Sequence, residues 1–338
     1  MSLLPNIARA WPAGLLGAAL AVGVSAQAPR TPSQPAAKDP LAQADAALQA
    51  GEADKALTLL QPLATSGAGQ AEALNLECRV HYMLQQWDAA IKECEEAVRL
   101  DGQNSDYHLW LGRALGEKAS RASFLSAYSL AKRARAEFEE AVRLNTRNAD
   151  ALADLGEFYK DAPGVIGGGA DKAAGIAAQL DKVDAGRAHE LRGRMADGSK
   201  DYGTAEREFK QAVSAGAHPA LQWVTLAGFY REHERWADMD SAVHGILAAV
   251  ARDKHAGVAL YDGASVLTSA KRDPALAAKM LEDYLASSSK TEDAPAFIAL
   301  NRLARLKDQL GDTAAANQER AQALALAHDF KPDRDGQH

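Results

Sequence analysis

The sequence predicts an all-α fold, a solenoid of tandem antiparallel helix pairs, and three observations predict it. Alanine supplies more than a fifth of the 338 residues and aromatics only 6%. Such an Ala/Leu/Glu/Lys/Arg-rich chain favours helix nearly everywhere and disfavours a large sheet. A rhythm of small residues returns about every 34 positions along most of the chain, the mark of a repeat architecture. The content, 47% hydrophobic and 25% charged, is that of a globular chain rather than a disordered one. A formal charge of −7 with pI about 5.8 argues against bulk attraction to nucleic acid.

The N-terminus reads as an export signal. No charged residue stands between Arg9 and Arg30, and Gly14 to Val24 is an apolar run ending in small residues. A positive n-region, an apolar h-region and a small-residue exit define a secretory signal peptide. Residues 1–28 are therefore expected to be a signal, with cleavage after Ala26 preferred over Ala28. The alternative is an uncleaved anchor, since about twenty uncharged residues can just span a bilayer. Residues 29–39 form a Pro-rich linker, residues 40–330 the folded body, and residues 331–338 a flexible tail.

Within the body, Ala71 to Asn104 serves as a ruler. Its position 8 falls on Ala44, Cys78, Gly112, Gly156, Gly193, Ala227, Ser265 and Ala304 in successive units. Position 20 falls on Ala56, Ala90, Ala134, Ala173, Ala205, Met239, Ala277 and Ala316. Small residues at both positions let two antiparallel helices cross closely, and larger ones such as Phe138, Leu155, Phe209, Trp223 and Tyr230 fill the space around the crossing. Eight units start near residues 37, 71, 105, 149, 186, 220, 258 and 297. In the last, Lys307 and Arg320 replace bulky apolar residues, as expected of a solvent-facing cap.

On Leu111-Gly112, Leu155-Gly-Glu-Phe-Tyr159 and Tyr202-Gly-Thr-Ala205 through Phe209 and Ala212, the chain resembles the tetratricopeptide repeat family, in an exported bacterial-type member. The resemblance covers nearly all of the body. It implies a right-handed superhelix that binds a protein or peptide and carries no cofactor.

Two units depart from the ruler. Gly112 to Ala134 is ten residues too long and Gly156 to Ala173 five too long. The extra material, 117–133 and 162–171, is expected at the turns within the hairpins, where equivalent positions of neighbouring units lie side by side. The first insertion offers Arg121, Phe124 and Tyr128 at helical spacing with Lys132, Arg133 and Arg135. These residues are either a docking site rimmed by cations or a longer hairpin packed on itself.

Other chemistry is sparse. The loop Gly164–Gly169 could present backbone N–H groups to an anion, but no Gly-Lys-Ser/Thr follows, and Asp171 reads as the cap of the next helix. Cys78 and Cys94, at positions 8 and 24 of one unit, are either a disulfide, as an oxidising compartment favours, or two packed thiols. Nine histidines show no zinc spacing, so no metal site, catalytic residue or cofactor is expected. His108 and His189 fall at a packing position.

The family resemblance carries the groove to positions 2, 5, 9, 12 and 13 of each first helix. Position 9 holds Arg79, Arg113, Arg194 and Arg305, with Tyr82 nearby. An arginine row can fork onto a peptide's carboxylates or pair with carboxylates of its own chain. The whole groove set is mixed, seven cations to eleven acids, and Trp110 stands where a carboxylate clamp wants Asn. The sequence therefore predicts a non-enzymatic protein- or peptide-binding scaffold, periplasmic or secreted, without nucleic acid. Two alternatives follow it: a membrane-anchored subunit of an envelope complex, touching the membrane only if the N-terminal segment stays uncleaved, and an enzyme using the loop 164–169.

Overall fold

The computed structural model describes residues 39–253 and 255–331. The expected signal, all but the last residue of the linker, and residues 332–338 of the tail lie outside the described residues. Sixteen α-helices and no strand are found among those described. They pair as α1 (Pro40–Gln49) with α2 (Ala53–Leu60), α3 (Gln70–Met83) with α4 (Trp87–Leu100), and α5 (Ser105–Arg121) with α6 (Phe124–Leu144). Next come α7 (Ala149–Asp161) with α8 (Ala170–Leu180), α9 (Ala185–Gly198) with α10 (Tyr202–Ala215), and α11 (Pro219–Glu232) with α12 (Trp236–Val250). The stack ends with α13 (Val258–Ser269) and α14 (Pro274–Ala286), then α15 (Ala296–Gln309) and α16 (Thr313–Leu326).

Local chemistry starts and stops these helices. Asn104, Asn148, Asp184, Asp201, Asp273 and Asp312 accept from backbone N–H groups of the first turn, satisfying donors a helix leaves open. Six hairpins turn through a left-handed residue, Gly51, Gln85, Lys200, Glu234, Lys271 and Gly311, the fifth of them with Asp273 left-handed as well. That conformation ends a helix and turns the chain back on itself. Of the two hairpins with insertions, α7–α8 also passes through a left-handed residue, Gly167, and α5–α6 has none.

The crossings are as tight as the ruler requires. A Cβ on Gly112 would lie 2.6 Å from the Phe138 ring, and one on Gly193 2.6 Å from that of Phe209. The same closeness brings Cys78 and Cys94, both without solvent exposure, to a Cα separation of 5.4 Å in a disulfide. Antiparallel crossing puts positions 8 and 24 opposite each other, which settles the pair as a disulfide rather than two packed thiols. Because the bridge closes a loop with sequence separation 16, its removal in C78A/C94A is expected to cost about 2–3 kcal/mol. Urea unfolding of the double variant checks this. Two free thiols in the denatured wild type would contradict it.

First helices of successive hairpins touch one another, α3 with α5, α5 with α7, and on through α13, so they form the inner wall. The stack then closes on itself. Leu48, Leu60, Leu76, Val80 and Met83 of the first two hairpins share a core with Phe297, Leu300 and Ala323 of the eighth. Gly51 backs so closely onto Ala296 that an added Cβ would sit 2.5 Å from its backbone nitrogen. The His328 backbone N–H donates to Asp54 at 3.0 Å. The last unit is thus not a free solvent-facing cap. Lys307 and Arg320 instead pair with Glu282 and Asp308, while the opposite face of α15 is buried.

The insertions are built differently from each other. Residues 117–133 do not enlarge a turn. They lengthen both helices, leaving only Ala122 and Ser123 between them. Residues 162–169 form a loop with a short 3₁₀ turn at Gly164–Ile166, held to α6 by Arg135 donating to the Ile166 carbonyl at 3.1 Å, and Ala170 and Asp171 open α8.

Candidate functional site

The arginines of the inner wall are already bonded within the chain. Arg79 forks onto Glu292 at 2.7 and 2.6 Å. Glu292 belongs to the connection 287–295 between α14 and α15 and is 3% exposed. Arg113, 4% exposed, donates to Asp154 at 2.6 Å, and the Trp110 ring lies between Arg79 and Arg113 at 5.3 and 4.7 Å. Tyr82 meets Trp110 and Trp87 edge-on. Burial weakens the charge of Arg113, yet Asp154, Asp293 and Asp150 around it outweigh that and hold it firmly protonated. Asp293 itself is pushed well up by burial, with Glu292, Asp150 and Asp154 adding to the effect against Arg113. At this end the wall is filled by the chain's own carboxylates.

Further round, α7, α9, α11 and α13, with Leu180 of α8 and Phe209 of α10, line a half-open cavity of about 320 Å³. Its apolar surface comes from Leu180, Leu191, Phe209, Leu221, Val224, Phe229 and Val266. Its charged lining is lopsided: Asp150, Asp154, Glu157, Glu190, Asp197, Glu232 and Asp262 against Arg187 and Arg194. Arg187 donates to Asp150 at 2.6 Å, Thr225 to Glu190 at 2.8 Å, and His233 Nε2 lies 2.8 Å from Asp197. Arg194 reaches Glu157 only at 3.5 Å. Seven carboxylates of the lining thus meet two guanidiniums of the lining, with Arg113 on Asp154, Lys160 at 3.3 Å from Glu157, Arg231 at 2.9 Å from Glu232 and Arg302 facing Asp262 from outside it. Burial raises the carboxyl groups of Glu157 and Glu190 above the ordinary range. These are the features of a cavity whose own lining is acidic and whose balancing cations stand mostly outside it.

Asp262 shows the effect of burial most clearly. Burial, against the charge of Arg302, pushes it up to about 6. A folded-state value above the unfolded one means that stability is fully present below the ordinary carboxylate range and is lost as pH rises through about 6. Asp262→Asn is therefore expected to stabilise the protein at pH 8, by up to about 3 kcal/mol, and to leave it unchanged at pH 4. Melting curves at the two pH values check this, and a loss at pH 8 would contradict it.

Other residues named from the sequence fall elsewhere. Arg121 pairs with Glu117 at 2.5 Å and covers Trp87. Phe124 and Tyr128, 60% and 38% exposed, stand at the free end of the α5–α6 hairpin, away from the inner wall. The Gly-rich loop is no anion cradle, because its N–H groups are used. Gly167 donates to the Gly164 carbonyl, Gly168 to Pro163 and Gly169 to Tyr159. Gly169, not Asp171, is the cap of α8, Asp171 falling in the first turn. His108 and His189 bond Glu137 and Glu208 at 2.6 and 2.7 Å. The cavity was missed because its acids come from four units, each looking like an ordinary solvated face.

The 34-residue ruler and the eight stacked hairpins define the chain as a tetratricopeptide-type α-solenoid. No family model matches it. Over 122 residues it is 30% identical to superkiller complex protein 3 of Mus musculus, a match covering 35% of this chain and only 7% of that protein. Among solved structures, TTC0263, described as a thermophilic TPR protein of Thermus thermophilus, superposes with TM-score 0.47 at 18% identity, covering 56% of this chain and 96% of that one. MamA superposes with TM-score 0.38 at 23% identity, covering 49% and 89%.

Proposed function

We propose that this protein is a non-enzymatic scaffold whose inner cavity holds a cationic segment of a protein or peptide partner. One observation carries the reading: a half-open site with an apolar floor whose lining holds seven carboxylates and two guanidiniums. A lysine or arginine side chain lays its aliphatic stem on apolar surface and its charge among carboxylates, here Asp262, Glu190 and Glu157, whose charged forms burial disfavours. Arg79 and Arg113 then serve to hold the wall together, and Arg194 to order the cavity acids. The uncharged stretch between Arg9 and Arg30 and the disulfide support an exported protein of a bacterial-type periplasm or cell envelope, with retention of that stretch as an anchor the second reading.

Fluorescence anisotropy with labelled Ala/Leu peptides carrying either lysine and arginine or glutamate tests the proposal. The cationic series is expected to bind, weaken with salt, and lose at least about tenfold on E157Q/E190Q/D262N, a ~1.4 kcal/mol change. Because burial already favours the neutral form of these groups, the amides leave the fold intact. Preference for the acidic series would overturn the reading.

A further inference from the structure

Three exposed apolar side chains stand close in sequence at the tip of the inserted hairpin: Leu125 at 80%, Phe124 at 60% and Tyr128 at 38%. α6 has 21 residues where α4 has 14. With the three that α5 has beyond α3, ten further residues shared by two arms carry the tip about 7 Å beyond a standard hairpin. Its charge opposes that of the chain. Residues 118–136 contain Lys118, Arg121, Lys132, Arg133 and Arg135 and no acid, although the chain as a whole carries −7.

Four of those cations have partners within the chain: Asp88, Glu117, Glu95 and Glu139. Most of these pairs are solvent-accessible and exchange cheaply. Lys132 faces Tyr128, its ammonium 5.4 Å from the ring centroid. The cavity on α7 to α13 presents the complement, an apolar floor beneath an excess of carboxylates. Projection and hollow thus match in polarity and sign, and they lie on different units of one chain.

We propose that the occupant of the cavity is the hairpin tip of a second copy of this chain, with Phe124 and Leu125 on the apolar floor and Lys132 and Arg121 among the carboxylates. This rests on the reading of the cavity as a site for cationic segments. The contact is heterologous, tip of one copy to cavity of the next, so it does not close as a twofold dimer and extends into chains or rings. An isolated projection ringed by cations also suits an anionic bilayer, but a bilayer leaves the cavity unfilled.

Sedimentation velocity of the full chain over a concentration series tests the proposal. Wild type is expected to form a ladder of oligomers that salt dissolves. Phe124→Ser/Leu125→Ser, whose exposed side chains the fold does not need, and E157Q/E190Q/D262N are each expected to remain monomeric alone. Mixed, they retain one intact tip and one intact cavity and should form a species that stops at two chains. A wild type that stays monomeric yet binds the Lys/Arg peptide overturns the self-docking and leaves the cavity reading standing. Oligomers that survive both sets of substitutions overturn it as well. So does a Leu125→Cys fluorophore that responds to phosphatidylglycerol vesicles but not to added unlabelled protein.

Discussion

Phe297→Ala is expected to destabilise the protein by about 3–5 kcal/mol and to release the first hairpin from the eighth. The side chain has no solvent exposure and stacks on Phe330 at 4.8 Å between centroids. It sits in the core shared by Leu48, Leu60 and Val80. In a linear repeat array a lost interface contact is felt only by its neighbours. Here the contact joins units seven apart in sequence, so truncation removes a closure as well as a side chain. Hydrogen exchange followed by mass spectrometry should show α1, α2 and α16 losing protection together while α7–α10 keep theirs. Loss confined to α15 would contradict the closure.

Arg113→Met is expected to cost about 3–5 kcal/mol, the range for removing one member of a buried pair. It leaves Asp154, 7% exposed, together with Asp293 and Asp150 around a vacated charge. Methionine keeps most of the apolar stem against Trp110, so the loss reads the charge rather than the packing. With Arg113 gone, the carboxyl groups rise further. The penalty should then be full at pH 8 and shrink as pH falls and they take up protons. Adding Asp154→Asn should recover a large part of it. Urea unfolding of the single and double variants at pH 5 and 8 provides the check. A loss under about 1 kcal/mol, typical of an exposed pair, would contradict the buried network.

The hairpins were legible in the sequence because their signals are local. Gly112 faces Phe138 and Gly193 faces Phe209 at spacings fixed by two helices and one turn, so a ruler of one unit finds them. The inserted hairpin was half legible. Residues 118–135 hold no glycine or proline, which favours continued helix over a widened turn. The wall and its cavity were not legible. Arg79 and Glu292 are 213 residues apart, and they meet only because small rotations per unit accumulate into a closed stack. No one-unit pattern records that sum. Position 9 therefore read as an open arginine row, when two of its members are bonded to acids on other units. The acidic excess emerges only once those partners are paired off.

Closure of the stack decides which charges are left to meet a partner, so it is the property to measure. Spin labels on Lys55→Cys of α2 and Gln322→Cys of α16, both exposed positions, leave the buried disulfide intact, and their separation is read by double electron–electron resonance. Helices packed at about 10 Å predict a narrow distribution below about 30 Å once the label arms are included. Eight hairpins stacked open at about 10 Å each would place the labels beyond about 50 Å. That result would separate the ends, free Arg79 from Glu292, and return the inner wall to an arginine row open to a partner's carboxylates.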